Sequence, residues 1–331
     1  MPPALVSYMK ATARAHPIQG LIKYHGMRDP TLRLPYHDSI SVCTKPSSSI
    51  TTAEFDPDRS EDTYIIDGNE VEGRPAERIS AVVDHVRDLA TIEAPVKLQS
   101  ENNFPTNIGF GSSSSGFAAA ALALARAANL ELSHEEISAI ARRGSSSAAR
   151  AVTGGFSHLR TGLDDVDCRS ERIITPLEDE LQIIAAEIPA YKQTEEAHRE
   201  AADSHMFESR MAHIHGQIAK MRHALRAADF DRAFELAEHD SLSLAATTMT
   251  GPAGWVYWKP ETIEVFEMVR TLRQDGISAY YSTDTGASVY INTTKENVGI
   301  VQDRLADLDI PSKAWSVGGE ATVLDPDQAL F

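Results

Sequence analysis

The chain has 331 residues, a formal net charge of −17 and two cysteines. This length exceeds the usual size of one hydrophobic core, so we expect two lobes with a cleft between them. The negative charge disfavours nucleic acid and anionic membranes as partners. No run of about 18 apolar residues occurs, and the N-terminal sequence lacks the apolar core of a signal peptide. We therefore expect a cytoplasmic protein with reduced cysteines.

Carboxylates outnumber basic side chains by 48 to 31, and most of the basic residues are arginine. A surface rich in carboxylate and poor in lysine is typical of a protein adapted to high salt, where screening removes the repulsion between carboxylates. An ordinary acidic enzyme is the alternative. In both cases the chain keeps few lysines, so each one that lies among other polar residues is a candidate for function.

Hydrophobic periodicity and turn residues predict an α+β fold in two parts, residues 1–180 and 181–331. In the first part we expect strands at 11–15, 20–24, 38–44 and 49–53, a helix at 75–91, a strand at 96–100, and helices at 118–126 and 133–143. In the second part we expect a strand at 181–189, helices at 201–227, 229–243 and 260–274, a hairpin of 277–282 and 288–292, a helix at 295–308 and a strand at 314–317.

Residues 102–117 form a polar segment, rich in Gly and Ser, that leads from a strand into an alanine-rich helix. A helix that begins there points unpaired backbone N–H groups and the positive end of its dipole at the loop. Glycines let a ligand come close to the backbone, so the segment meets the requirements of a phosphate-binding loop. It lacks the Gly-Lys-Ser/Thr of a Walker A loop. The alternative is a flexible linker before a well-capped helix.

Three further clusters combine polar residues in patterns suited to chemistry. Lys23 ends an apolar strand, residues 142–150 combine arginines with serines, and Asp284 lies at the tip of the predicted hairpin. Guanidinium groups bind carboxylates and phosphates through two parallel hydrogen bonds, and a buried carboxylate at Asp284 would need Lys23 or Arg150 as a partner. The alternatives are a surface lysine, basic residues that complement a helix C-terminus, and ordinary turn chemistry.

A group of histidines in the second part invites a metal-site interpretation: His198, His205, His213, His215 and His223. A His-Ile-His sequence on a helix does not put both rings on one face, and no carboxylate or cysteine is spaced to complete a site. We therefore expect these histidines on a solvated helix face.

Taken in order, these segments resemble the GHMP kinase superfamily and, within it, the mevalonate diphosphate decarboxylase family. The matching motifs are Ile-Lys-Tyr-His-Gly-Met-Arg-Asp, the Asn-Asn-Phe-Pro-Thr loop, Arg-Arg-Gly-Ser-Ser-Ser-Ala-Ala-Arg and Asp-Thr-Gly, at residues 22–29, 102–113, 142–150 and 284–286. The resemblance implies a two-lobed fold with a deep cleft. Its N-terminal lobe would bind ATP and resemble domain 2 of ribosomal protein S5. Its C-terminal lobe would be ferredoxin-like and carry the Asp hairpin. The family expectation is a homodimer.

The resemblance also implies roles for individual residues. Asp284 would orient or deprotonate the substrate's tertiary 3-hydroxyl, Lys23 would hold Asp284 ionised and offset charge on the transferring phosphoryl group, and Arg150 would bind the C1 carboxylate. The substrate would also contact Tyr24, Ser145 and Ser147. The ATP phosphates would be held by Asn107, Gly109, Gly111, Ser112, Ser113 and Ser114, with Ser113 also contacting Mg²⁺. ATP would phosphorylate the hydroxyl, and loss of phosphate would drive decarboxylation to an alkene.

The chain departs from the family pattern at three places. Met27 stands where the family has a second lysine, Ile18 where it has an asparagine, and residues 193–194 (Gln-Thr) where bacterial members have Ser-Arg. Each charge-assisted contact contributes roughly 1.5–3 kcal/mol, so fewer cations suit a less charged substrate. We therefore expect the phosphomevalonate decarboxylase branch, which converts mevalonate 5-phosphate to isopentenyl phosphate. Mevalonate 5-diphosphate as substrate, a mevalonate 3-kinase and a non-catalytic ligand-binding homologue remain alternatives.

Overall fold

The computed structural model describes residues 10–104, 112–189 and 198–331. Its strands are Lys10–Ala15 (β1), Ile18–Ile22 (β2), Met27–Asp29 (β3), Leu34–Pro35 (β4), Ser39–Lys45 (β5), Ser49–Phe55 (β6), Thr63–Ile66 (β7), Asn69–Glu70 (β8), Val96–Asn102 (β9), Phe156–Leu159 (β10), Ser170–Ile173 (β11), Leu181–Ala186 (β12), Ala279–Ser282 (β13), Val289–Thr294 (β14), Ser312–Val317 (β15) and Thr322–Val323 (β16). Its α-helices are Arg74–Ala90 (α1), Ser112–Ala127 (α2), His134–Gly144 (α3), Ala148–Thr153 (α4), Leu177–Glu180 (α5), Phe207–Arg226 (α6), Phe230–Met249 (α7), Pro260–Gln274 (α8) and Val298–Ala306 (α9).

The first layer is a six-stranded sheet in the order β16-β1-β6-β9-β7-β8. Strands β7 and β9 run parallel, whereas β6 pairs antiparallel with both β1 and β9. Helix α2 packs on β1 and β6, and its segment 118–125, which is mostly alanine, is buried. Small side chains that favour helix let α2 lie close to the sheet. This packing fixes the position of the N-terminal end of α2.

The second layer is a sheet in the order β11-β10-β5-β15-β12-β14-β13, with β2 paired to β5. Helices α6 and α7 cover β2, and the core between them contains Phe156, Phe234 and Trp315. Strand β15 pairs with β5 and β16 pairs with β1, so strands from both halves of the chain share each sheet. The division between residues 180 and 181 stays a prediction. It lies at the start of β12.

The predicted α+β class is confirmed, and the predicted elements form with three notable differences in their bounds. Helix α2 begins at Ser112, ahead of the alanine run, because serines are well tolerated in a first helical turn, where their hydroxyls compensate unpaired N–H groups. The helix expected at 201–227 is a 3₁₀ turn, Ala201–Asp203, followed by α6. The helix expected at 295–308 likewise divides into a 3₁₀ turn, Lys295–Asn297, and α9.

Among the described residues, no helix combines the length and the apolar content that crossing a bilayer requires.

Candidate functional site

Lys23 follows directly after β2, a strand whose five residues are all buried. The strand carries the lysine into the interior, where the residue is 5 % exposed. Its Nζ donates hydrogen bonds to Ser241 Oγ at 3.0 Å and Ser282 Oγ at 3.1 Å. Burial lowers the pKa of Lys23, and the carboxylates of Asp240 and Asp284 oppose that shift. Lys23 is therefore a buried site residue and not a surface lysine.

Asp284 follows β13 and lies beside Lys23. A Cβ atom added to Gly20 would lie 2.8 Å from Lys23 Cγ and 2.9 Å from Asp284 Oδ1, so only glycine leaves room for both side chains. Burial raises the pKa of Tyr290, and the charge of Asp284 adds to that shift. Asp284 also acts electrostatically on Arg150. The structure thus brings Asp284, Lys23 and Arg150 into one site.

A pocket beside Asp284 separates α7 from the hairpin. Its lining mixes apolar side chains, hydroxyls and one carboxylate, and consists of Ser241, Leu244, Ala245, Thr248, Met249, Tyr257, Trp258, Thr283, Asp284 and Thr285. A small molecule with both apolar and hydroxyl groups matches such a lining.

Arg150 lies in α4 and is 3 % exposed. Its guanidinium stands over the ring of Tyr24, with 5.4 Å from Cζ to the ring centroid. Within the described residues, its Nε and Nη1 atoms are buried without a hydrogen-bond partner. Burial lowers the pKa of Arg150, and Tyr24 and Asp284 oppose that shift. A buried guanidinium with unsatisfied N–H groups is suited to receive a carboxylate.

The three serines between α3 and α4 form a hydroxyl cluster. Ser145 Oγ and Ser147 Oγ are 2.9 Å apart, so the two predicted substrate-binding hydroxyls lie side by side. Ser146 Oγ donates to the Arg33 carbonyl at 2.7 Å, and its hydroxyl also hydrogen-bonds to Tyr24. Burial raises the pKa of Tyr24, and the charge of Arg150 opposes this. Tyr24 is thereby linked to both the serines and Arg150.

Of the predicted phosphate-binding residues, Asn107, Gly109 and Gly111 lie outside the described residues. Ser112 and Ser113 form the first turn of α2, and Ser113 is exposed. Ser114 is buried, and its hydroxyl accepts a hydrogen bond from the Ile18 N–H at 3.2 Å. The beginning of a 16-residue helix, with an exposed hydroxyl, fits the phosphates of magnesium-bound ATP. Ser112 and Ser113 suit this role better than Ser114.

Sequence reasoning missed Asp240 and Arg210, which contact Lys23 directly. Asp240 Oδ2 accepts a hydrogen bond from the Lys23 N–H at 2.8 Å, and Arg210 Nη2 donates to the Lys23 carbonyl at 2.6 Å. One signal could have found Asp240. It and Ser241 occupy helix positions that continue the buried apolar stripe of α7, which includes Ala237 and Leu244. Arg210 carries the same signal, because it lies between Phe207 and Ile214 in the buried stripe of α6.

Four of the five histidines are exposed, as predicted: His205, His213, His215 and His223. The last three lie on α6, whereas His205 lies in the turn before that helix. His198 instead stacks on Tyr24 with 4.9 Å between ring centroids. In the part of the chain that the structure describes, no group of three or more His, Cys, Asp or Glu side chains is placed to hold a metal ion.

Two family models match this chain. The diphosphomevalonate decarboxylase-like N-terminal domain matches residues 15–170, and the mevalonate 5-diphosphate decarboxylase C-terminal domain matches residues 183–320. The chain is also 68 % identical to a phosphomevalonate decarboxylase of Haloferax volcanii, and the match covers 98 % of this chain and 100 % of the relative.

Solved structures agree with these matches. The mevalonate diphosphate decarboxylase of Staphylococcus aureus superposes with a TM-score of 0.91 at 28 % identity, over 96 % of this chain and 98 % of that one. A structure described as MDDEF in complex with MVAPP, AMPPCP and magnesium superposes with a TM-score of 0.89 at 27 % identity, over 96 % and 99 %. The similarity therefore extends over both halves of the molecule.

Proposed function

Because the chain belongs to the mevalonate diphosphate decarboxylase family, we propose that it uses ATP and Mg²⁺ to decarboxylate mevalonate 5-phosphate to isopentenyl phosphate in isoprenoid biosynthesis. The predicted family and its GHMP kinase fold are confirmed. The identity with the Haloferax volcanii phosphomevalonate decarboxylase supports the monophosphate as substrate. The diphosphate is the alternative, supported by the name of the Staphylococcus aureus neighbour.

The observation that carries this proposal is the meeting of Asp284, Lys23 and Arg150 at the end of β2. A tertiary hydroxyl is a poor leaving group, and magnesium-bound ATP supplies the phosphoryl group that makes it a good one. When the C3–O bond then breaks, the electrons of the C1–C2 bond form the alkene as carbon dioxide departs. These two chemical steps need a base, a cation at the phosphoryl group and a cation at the carboxylate.

Each of the three side chains suits one of these tasks. Asp284 takes the proton of the 3-hydroxyl as that oxygen attacks, and the neighbouring Lys23 ammonium keeps the carboxylate ionised because an adjacent positive charge lowers a carboxyl pKa. Lys23 also offsets negative charge on the transferred group. Arg150 binds the C1 carboxylate through its guanidinium, whose Nε and Nη1 atoms have no hydrogen-bond partner in the described ranges.

The remaining contacts follow from position. The hydroxyls of Tyr24, Ser145 and Ser147 lie together on the Arg150 side of the site and would hold the 5-phosphate end. Ser112 and Ser113, at the beginning of α2, would hold the nucleotide phosphates, and Ser113 would also contact Mg²⁺. Three points stay predictions: the roles of Asn107, Gly109 and Gly111, a cytoplasmic location and a homodimer. Light scattering measures the molar mass in solution and so tests the homodimer.

The test of the reaction is an assay of ATP-dependent carbon dioxide release in strong KCl. We expect release from mevalonate 5-phosphate, with a higher kcat/KM than for mevalonate 5-diphosphate. A clear preference for the diphosphate would replace this substrate with the alternative. Formation of a stable 3-phosphorylated product without carbon dioxide would indicate a kinase.

The test of the base is the variant Asp284→Asn. The matched control is Asp275→Asn, because Asp275 is an exposed aspartate shortly before Asp284 in the chain. We expect Asp284→Asn to lower kcat by about 10²–10⁴ or more while ATP binding, measured by calorimetry, survives. The control variant should retain its activity. Turnover by Asp284→Asn at the rate of the control would show that Asp284 is not the base.

A further inference from the structure

The backbone of Lys23 is held on both sides by one buried ion pair. Asp240 Oδ2 accepts from the Lys23 N–H at 2.8 Å, and Arg210 Nη2 donates to the Lys23 carbonyl at 2.6 Å. Arg210 Nη2 also donates to Asp240 Oδ1 at 3.0 Å, which closes a ring around the residue. The side chains of Arg210 and Asp240 are 1 % and 2 % exposed. Such an arrangement fixes the point at which the Lys23 side chain leaves β2.

The same carboxylate also faces the Lys23 ammonium. Asp240 Oδ2 lies 3.7 Å from Lys23 Nζ. Burial lowers the pKa of Lys23, the charge of Asp240 is the largest effect that opposes it, Asp284 follows, and Arg210 acts in the lowering direction. Asp240 therefore contributes to Lys23 in two ways, through the position of its backbone and through the charge of its side chain.

The charges of the site explain why a second carboxylate is needed. In the resting site, Lys23 and Arg210 are balanced by Asp240 and Asp284. When Asp284 takes the proton of the 3-hydroxyl, Asp240 becomes the remaining carboxylate among these four groups. A buried ammonium that lost both counter-charges would favour its neutral form. The neutral amine could not offset charge on the transferred phosphoryl group.

We propose that Asp240 and Arg210 are positioning residues of the reaction, which clamp the backbone of Lys23 and keep its ammonium charged after Asp284 has accepted a proton. This inference rests on the proposed function, because it takes Lys23 and Asp284 to act in phosphoryl transfer. Asp240 and Arg210 reach the substrate only through Lys23.

Two other titratable groups lie near the pair. Arg210 acts on both His25 and His37. Burial lowers the pKa of His37 to about 4 and that of His25 well below its usual value. Both rings are therefore neutral near neutral pH and above, and they add no charge to the balance around Lys23 over the range in which the lysine titrates.

The test is the pH dependence of kcat/KM, which reports the pKa values of groups in the unliganded enzyme. Asp240→Asn keeps an amide oxygen for the Lys23 N–H but removes the charge, so the alkaline limb should move to lower pH by about one unit or more. Arg210→Gln removes a positive charge next to Lys23 and should move the same limb to higher pH. A purely structural role predicts no shift for either variant.

Glu238→Gln is the matched control, because Glu238 lies two residues earlier on α7, is itself buried and pairs with an arginine, Arg273, away from Lys23. It should lower stability while its alkaline limb stays at the wild-type pH. If Asp240→Asn fails to fold, Arg210→Gln decides the question alone: an upward shift supports the clamp, and no shift or a downward shift overturns it. An active wild type with unshifted variants refutes this inference only, whereas a wild type that releases no carbon dioxide refutes the proposed function.

Discussion

Two arginines eight residues apart, Arg142 and Arg150, are both buried but differ in how many of their N–H groups the protein satisfies. Arg142, in α3, has no exposed surface, and its guanidinium donates to the carbonyls of Leu32, Cys168 and Asp165 and to the Asp165 carboxylate. Its hydrogen-bonding capacity is used by the protein itself. The pattern Arg-Arg-Gly-Ser therefore contains at least one arginine whose role is structural.

Arg150, in α4, is almost equally buried, but its Nε and Nη1 atoms find no partner among the described residues. What surrounds it is the ring of Tyr24 and the charge of Asp284. Burial alone therefore does not distinguish a structural cation from a ligand-binding one. The difference lies in how many of its N–H groups the protein satisfies, because an unsatisfied buried charge costs stability unless a ligand completes it.

Of the two arginines, Arg150 should have the larger effect on activity when it is removed. Arg150→Met should lower kcat/KM for the proposed substrate about 100-fold or more, because two charge-assisted hydrogen bonds to the carboxylate are lost. Its free energy of unfolding should stay the same or rise, since the variant no longer buries an incompletely paired charge. Urea denaturation and steady-state kinetics measure the two quantities. A variant that loses stability but keeps its activity would show that Arg150 is structural, like Arg142.

Arg142→Met should have the opposite profile. Removing this buried guanidinium leaves the carbonyls of Leu32, Cys168 and Asp165 without their donor and leaves the Asp165 carboxylate with Arg143 as its remaining partner, so we expect the free energy of unfolding to fall by about 3 kcal/mol or more. Because the hydrogen bonds of Arg142 to described residues go to Leu32, Cys168 and Asp165, which lie outside the proposed site, kcat/KM of the folded fraction should not change. Urea denaturation and active-site-normalised kinetics measure both. A large loss of activity without loss of stability would place Arg142 in the site.

The sequence predicted Lys23, Arg150 and Asp284 because each lies in a segment of unusual composition: a lysine in a chain that has few, arginines among serines, and an aspartate at a hairpin tip. It also predicted most helices and strands, since their apolar periodicity is regular. Within the cluster at 142–150 it could not separate Arg142 from Arg150, because the partner that saturates Arg142 is Asp165, more than 20 residues further along the chain in an irregular loop.

Asp240 and Arg210, which clamp Lys23, show even more clearly that a sequence does not reveal pairing partners that lie far apart in the chain. Arg210 and Asp240 lie 187 and 217 residues from Lys23 in sequence, on two different helices. Only the packing of α6 and α7 on β2 brings them together. Periodicity marks Asp240 as a polar residue at a core-facing position, but it does not tell which charge on another element pairs with it.

The smallest expected effect on stability comes from replacing Arg143. This residue pairs with the same carboxylate as Arg142 but is less buried, so it distinguishes the effect of burial from the effect of ion pairing. Its guanidinium donates to the Asp165 carboxylate, but its side chain is 21 % exposed. Burial raises the pKa of Asp165, but Arg142 and Arg143 together hold it below its usual value, so Asp165 is ionised at neutral pH. Because Arg142 remains as a partner and water screens the outer pair, Arg143→Gln should lower the free energy of unfolding by only about 0.5–1 kcal/mol.

This smaller loss should shrink further in strong KCl, since salt screens partly exposed charges more than buried ones. Urea denaturation of Arg143→Gln and Arg142→Met at low and high KCl compares the two directly. We expect salt to reduce the difference in the free energy of unfolding between wild type and Arg143→Gln. The corresponding difference for Arg142→Met should stay nearly unchanged. We argue that the satisfied, buried N–H groups of Arg142, and not proximity to Asp165, stabilise this part of the fold. Equal losses of unfolding free energy for the two variants at both salt concentrations would contradict this.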